Sequence, residues 1–196
     1  LEDDPEAVCG LVGRPLKEMG VEVVDDEGRE LRPGQAGEIL TTGPSVTVGY
    51  YNNPDANARS FTPDGWFRTG DIGVFDDKGY LKIVGRKKEM IIRGGENIYP
   101  KEIEEVLYRH PKVLEAAVVG LPDQVWGEEV FAFIVLKEGM QGSTEEFIEH
   151  CKARLADFKC PRKVVFWKQF PKTATGKIQK GKLREEYLAK TDGGER

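Results

Sequence analysis

At Gly85 the texture of the chain changes, and this change limits the fold more than any other feature. Up to Val84 the sequence is rich in glycine and in short β-favouring runs broken by turn signals. Val21 to Val24 runs into Asp25-Asp26-Glu27-Gly28, and Glu38 to Thr42 runs into Gly43-Pro44. Gly65 to Phe67, Ile72 to Phe75 with the turn Asp76-Asp77-Lys78-Gly79, and Tyr80 to Val84 continue the pattern as a hairpin. No long helix is expected before Tyr99. Beyond it, Ile103, Val106 and Leu107 fall at helical spacing behind Pro100, so Lys101 to His110 predicts an amphipathic helix. Val113 to Leu121, Glu128 to Leu136 and Lys163 to Trp167 read as strands. Ser143-Thr144-Glu145-Glu146 is a capping box that opens a helix through about Leu155, and Lys182 to Ala189 closes as a helix. The expected class is α+β. Short strands come first, followed by a small, mainly antiparallel sheet covered by helices.

Charge divides the chain as well. Leu1 to Asp64 holds 13 acids and 5 bases, a local net of −8, and Lys159 to Lys190 holds 10 bases and 2 acids, a net of +8. The whole chain of 196 residues carries −5 at pH 7, and the basic stretch lacks an aromatic stacking pattern, which argues against nucleic acid and for an anionic small molecule. A solvated lysine face explains the same stretch equally well. The longest apolar run, Val130 to Leu136, is far short of the roughly 20 residues of a spanning helix. The start Leu1-Glu2-Asp3-Asp4 has no initiator Met, basic n-region or apolar h-region, so the chain reads as a fragment. Cys9, Cys151 and Cys160 form neither a disulfide framework nor a zinc spacing, which favours a reduced, cytoplasmic setting. His150 and Cys151 are neighbours on a helix and point apart, so they are not read as a catalytic pair, and no metal ligand set is expected in this chain.

Three polar, glycine-bearing segments lie between expected elements, where functional loops tend to sit. In Gly65-Trp66-Phe67-Arg68-Thr69-Gly70-Asp71 a carboxylate between two short strands could accept hydrogen bonds from a vicinal diol, although turn chemistry alone also explains it. In Gly85 to Pro100, Arg86 offers planar donors to phosphate or sugar oxygens and Gly94-Gly95 admits a thin ligand, while Lys88 is placed for a hinge. A charged linker is the competing reading. In Pro171 to Leu183 the run Gly176-x-x-x-x-Gly181-Lys182 imitates a P-loop, but Leu183 stands where a magnesium-binding Ser or Thr is needed. The alternative makes Lys177 a mobile cation on a flexible loop, delivered to charge that develops during acyl transfer.

In order, Gly37-Glu38-Ile39 through Gly49-Tyr50, Phe67-Arg68-Thr69-Gly70-Asp71, Gly85-Arg86 through Ile98-Tyr99-Pro100, and Pro171-Lys172-Thr173 through Gly176-Lys177 resemble four successive motifs of the adenylate-forming enzymes. That superfamily includes acyl-CoA synthetases, luciferases and nonribosomal peptide adenylation domains. The resemblance spans nearly the whole chain. It implies that residues 1–85 are the β-rich end of a large adenylation domain, 86–90 a hinge, and 91–196 a mobile lid domain. It further implies that Asp71 binds the ATP ribose, Arg86 assists at ribose or phosphate, Lys88 is the hinge and Lys177 the catalytic lysine of adenylation. Gly94 and Gly95 would line the pantetheine path of CoA, with Trp126 and Phe158 as candidates to contact its nucleotide; a buried core Trp is an equal reading of Trp126. Magnesium would be held mainly by an upstream part that also supplies the phosphate loop and most of the acyl pocket, so this chain alone is expected to be inactive.

The wording Arg93-Gly94-Gly95-Glu96-Asn97-Ile98-Tyr99-Pro100 looks most like fatty acyl-CoA synthetases. The expected partners are a carboxylic acid, ATP, CoA and the rest of the N-terminal domain; a homodimer is left open, and neither nucleic acid nor a membrane span is expected. An aryl-CoA ligase or an adenylation domain that loads a carrier protein is the nearest alternative. A nucleotide-binding module without catalysis is the alternative of another class.

Overall fold

The computed structural model describes residues 10–192, so Cys9 lies outside the described residues. The chain divides into two compact units, Leu1–Lys88 and Glu89–Arg196.

The first unit is a four-stranded antiparallel sheet in the order β1 (Gly20–Val24), β2 (Gly37–Thr42), β3 (Phe67–Phe75) and β4 (Leu81–Arg86). Two of its turns use the same device. Asp25 Oδ1 accepts from the backbone N–H groups of Glu27 and Arg29 at 3.0 and 2.9 Å, and Asp76 Oδ1 accepts from Lys78 and Tyr80 at 2.9 and 2.8 Å. Each aspartate thereby folds the backbone before a glycine with positive φ, Gly28 and Gly79. Val23, Ile39 and Leu81 form the small core, and Gly73 is needed beside it because a Cβ there would stand 2.7 Å from Ile39 Cδ1.

One expectation is corrected. Phe67–Phe75 is one nine-residue strand rather than two short ones, with the register shift between Ile72 and Gly73. Gly70, at φ +70°, marks an irregularity in the ladder with β2, where the register shifts between Glu38 and Leu40, while the pairings on either side of it keep β3 continuous. A short helix was also missed: α1 (Pro54–Ser60), capped by Asn53, whose side chain accepts from Ala56 N–H at 3.1 Å.

The second unit is built on a long hairpin, β7 (Val113–Asp123) with β8 (Gly127–Leu136). β5 (Ile91–Arg93) and β6 (Glu96–Ile98) join β8 at one end, and β9 (Lys163–Phe166) lies parallel to its other half. The remaining pairings of this sheet are antiparallel. On β8, Val130, Ala132 and Ile134 belong to a core with α2 (Pro100–Tyr108) and α3 (Thr144–Lys152). The alternate residues Phe133 and Val135 join Phe170, Leu183 and Tyr187 of the other core, which α4 (Lys180–Asp192) covers. The continuous apolar run of β8 is thus a strand buried on both faces. Burial of Phe133 and of Leu183, both at 0% exposure, contributes about 1.5–3 kcal/mol each. Leu183 is therefore core, and Gly181 and Lys182 are helical, so the P-loop imitation has no loop to act from.

Ser143 caps α3 by accepting from Glu146 N–H at 3.3 Å. The helix ends at Lys152, short of the expected Leu155, because Ala153 turns the chain and both Arg154 and Leu155 donate to Cys151 O. Cys151 points into the core, where burial and then the neighbouring Cys160 push its thiol up to about 12. His150 points elsewhere, with Nε2 3.0 Å from Val106 O.

His110, 8% exposed, is packed 4.8 Å from the His150 ring, with Nε2 3.4 Å from Glu146 Oε1. Burial first, then the charges of His150, Lys112 and Arg154, hold it below the ordinary histidine value despite the opposing Glu146. The unfolded chain accepts this proton at about 6.5, so stability is highest above that pH and falls as pH drops through it toward the lowered folded value. Urea unfolding at about pH 7.5 and about pH 5.5 should show the loss, and His110→Gln should flatten it. An undiminished loss in that variant would contradict the assignment.

Candidate functional site

Asp71 and Arg86 are cross-strand partners on β3 and β4. Arg86 Nε donates to Asp71 Oδ1 at 2.7 Å, with side chains 51% and 23% exposed. Strand pairing, rather than a loop, aims the carboxylate, which corrects the expectation that Asp71 sits between two strands. Thr69 steadies the approach: its hydroxyl donates to Ile39 O at 2.8 Å and accepts from Asp71 N–H at 3.1 Å. The pair presents an acceptor beside planar donors, a set suited to a diol next to an anion. Lys88 is exposed in a single 3-10 turn, Lys87–Glu89, the last residue of the first unit.

In the second unit Gly94 and Gly95 form the two-residue turn of the β5–β6 hairpin, with φ of +58° and +89°. Trp126, at the tip of the β7–β8 hairpin, lies over this turn, so a Cβ on Gly94 would be 2.8 Å from Trp126 Cε3. Gly94 N–H donates to Trp126 O at 2.9 Å. The tip itself is held by Asp123, whose Oδ1 accepts from Val125 and Trp126 N–H at 2.9 and 2.8 Å; the Trp126 and Val125 bonds, in that order, hold its pKa below the usual aspartate value. Trp126 is 47% exposed, so it is not a core tryptophan. Arg93, which the sequence reading passed over, places its guanidinium 4.9 Å from the indole and donates to both oxygens of the buried Glu129 at 2.7 and 3.1 Å.

Gly94→Ala should cost about 1–2 kcal/mol from the left-handed φ alone, plus displacement of the indole. Gly95→Ala meets open space and bears only the φ cost. Urea unfolding of the two variants, each with and without Trp126→Ala, should show coupling for Gly94 alone. Equal coupling at Gly95 would contradict the packing.

Phe158 sits in the 3-10 turn Asp157–Lys159, 38% exposed, with Lys159 Nζ 5.8 Å from its ring. Among the described residues no hydrogen bond, ion pair or ring contact joins it to Gly94, Gly95 or Trp126.

Lys177 stands on a tight turn rather than a flexible loop. Thr173 N–H donates to Lys177 O at 2.8 Å, Gly176 N–H to Thr173 O at 2.9 Å, and Lys177 N–H to the Thr173 hydroxyl at 3.1 Å. Gly176, at φ +83°, supplies the left-handed position that closes it. Several other bases of the C-terminal stretch are engaged: Lys159 with Glu102 at 2.7 Å, Lys172 with Glu115 at 2.6 Å, and Lys180 with Glu89 and Glu104 at 2.7 and 2.8 Å. The Lys177 ammonium makes no ion pair among the described residues. The residue is exposed and held at the backbone by the turn. Sequence spacing could have flagged Lys180 and Arg184, which share one face of α4 four residues apart, but not the acids they meet.

Among the described residues no three His, Cys, Asp or Glu side chains gather as metal ligands. None of the helices among them is long and apolar enough to cross a membrane.

The model described as the AMP-binding enzyme matches residues 1–51, and that of the AMP-binding enzyme C-terminal domain matches residues 102–177. The indoleacetate–CoA ligase of Aromatoleum aromaticum is 44% identical over 96% of this chain and 37% of its own length. The mitochondrial medium-chain acyl-CoA ligase ACSF2 of Bos taurus is 44% identical over 94% of this chain and 30% of its own. A solved structure of o-succinylbenzoate CoA synthetase from Bacillus subtilis, in complex with the acyl-adenylate intermediate, superposes with a TM-score of 0.86 at 38% identity, over 93% of this chain and 37% of that one. The chain spans 30–37% of the length of the curated relatives it matches. With both family models matched in order and CoA ligases on either side of 45% identity, the chain belongs to the adenylate-forming superfamily, among its acyl-CoA synthetase-like members.

Proposed function

We propose that the chain is the C-terminal part of an ATP-dependent acid–CoA ligase acting on a medium- or long-chain fatty acid. The observation that carries this reading is Lys177, a cation without an ion-pair partner among the described residues, on a hydrogen-bonded turn at the end of the matched C-terminal domain. In the first step a carboxylate oxygen attacks the α-phosphorus of ATP, the bond to pyrophosphate breaks, and acyl-AMP forms. Lys177 stabilises the negative charge that builds on carboxylate and phosphate oxygens. Asp71 accepts the ribose hydroxyls, and Arg86 holds Asp71 in place while donating toward ribose or phosphate. In the second step the CoA sulfur attacks the acyl carbon and AMP leaves with the bonding pair. Rotation at Lys88 separates the steps, with Gly94 and Gly95 lining the pantetheine path and Trp126 and Phe158 near the CoA nucleotide.

An aryl acid is the second reading, favoured by the 44% identity to an indoleacetate–CoA ligase. A cytoplasmic setting belongs to the same proposal, and the free, buried thiols of Cys151 and Cys160 fit a reducing compartment. Mass-spectrometric detection of acyl-AMP and acyl-CoA, across fatty and aryl acids, tests the assignment with the full-length parent and this chain as control. Fatty acyl-CoA as the main product supports it; aryl product alone selects the second reading, and no product from any acid sinks both.

A further inference from the structure

The Lys177 turn stands on two legs. On one side Lys172 pairs with Glu115 of β7 at 2.6 Å and bridges to Ile178 across the turn. On the other side Lys180, the first residue of α4, places Nζ 2.7 Å from Glu89 Oε2 and 2.8 Å from Glu104 Oε1. This second leg is the more enclosed: the Lys180 side chain is 19% exposed and that of Glu104 is 15%. Glu104 is in turn fixed to the sheet, because its Oε1 accepts from Val118 N–H at 2.7 Å. Burial works to lower the Lys180 pKa, yet the charge of Glu104 and the hydrogen bonds to Glu104 and Glu89 raise it above the ordinary lysine value, so the residue stays a cation.

The backbone from Lys180 back to the turn is also tied. Gln179 N–H donates to Pro171 O at 2.8 Å, and Leu183 N–H donates to Gln179 O at 3.0 Å while its side chain is fully buried. One helical turn further, Arg184 lies 3.8 Å from Glu128 Oε1, and Glu128 Oε2 accepts from Ile92 N–H at 3.0 Å. The same face of α4 therefore holds both Glu89, the residue after Lys88, and the carboxylate bound to Ile92.

We propose that Lys180 is a positioning residue for Lys177: by bridging Glu89 and Glu104 it locks the base of the Lys177 turn to the segment that immediately follows the hinge. Resting on the ligase reading above, the consequence is mechanical. A dihedral change at Lys88 moves Glu89, and the clamp carries Lys180 and the Lys177 turn with it as one body. Lys177 then arrives at the reacting oxygens with a fixed backbone and only its own side-chain torsions left to settle.

The test uses the full-length parent with Lys180→Gln, the conservative Lys180→Arg, and Glu89→Gln as a milder cut should the first variant fold poorly. In Lys180→Gln, amide hydrogen exchange at Thr173, Gly176 and Lys177 should quicken by about tenfold while Tyr187 and Leu188 of α4 stay protected. Acyl-AMP formation should fall by about ten- to a hundredfold in kcat with KM for ATP and acid within about twofold, the expected cost of a misplaced catalytic group. Thioester formation from preformed acyl-AMP should hold, and Lys180→Arg should restore most of the loss. Unchanged exchange at the turn would overturn the proposal. So would an equal fall in both half-reactions that Lys180→Arg fails to rescue, the mark of a merely structural ion cluster. Should the wild-type parent make no acyl-AMP from any acid, the ligase reading fails, and the exchange arm still decides the clamp.

Discussion

Replacing Lys177 by Ala in the full-length enzyme should lower acyl-AMP formation by about 10²- to 10³-fold, the range found when one preorganised charge-stabilising donor is removed. Thioester formation from preformed acyl-AMP should stay within about twofold, because that step develops its charge elsewhere and the lysine is not asked to meet it. The structure sharpens this expectation. The turn is closed by hydrogen bonds from the backbone and from Thr173, none of which involves the lysine ammonium, so Ala leaves the fold as it is. Thermal unfolding of the variant should therefore match wild type. Single-turnover assays of the two half-reactions measure the split. Equal losses in both would remove Lys177 from the role assigned to it.

Lys88→Pro should produce the reverse pattern. The residue lies in a 3-10 turn, where φ near −60° matches what a pyrrolidine ring imposes, so one conformation survives. A locked φ, together with the limits proline sets on Lys87, opposes any large dihedral change at this point. Overall turnover should fall by about 10²-fold or more, the scale on which a misplaced reacting group costs rate, with acyl-AMP accumulating because the second step is starved. Acyl-AMP formation itself should persist. Normal turnover in the variant would refute the hinge.

The fold could be read where periodicity and end signals agreed. Pro100, Ser143 and the Asp-x-x-Gly turns each fix backbone geometry through a single residue, so their elements lay close to the expected places. Reading failed where pairing overrode local chemistry. Gly70 signals a turn and does keep a left-handed φ, but the pairings that flank it carry β3 through as one irregular strand. The helix after Asn53 was missed, since its seven residues bury nothing and leave no apolar stripe to detect.

For the candidate site, the ordered motifs singled out Asp71, Arg86, Gly94 and Lys177, but they carried no information on what each of them packs against. That Arg86 pairs with Asp71 follows from strand register, and that Trp126 covers Gly94 follows from two hairpin tips stacking. The Lys180 cluster joins residues 91 positions apart, a separation that only the folded sheet closes. The basic stretch likewise read as a uniform cation patch, yet Lys159, Lys172 and Lys180 are engaged with acids, whereas Lys177, like Lys168 and Lys182, is exposed and makes no ion pair among the described residues.

The most direct test is exchange of isotope between pyrophosphate and ATP by the full-length parent, with and without carboxylic acid, beside Lys177→Ala. The account predicts exchange that depends on the acid and collapses in the variant. Exchange that survives the loss of Lys177, or none with any acid, would contradict it.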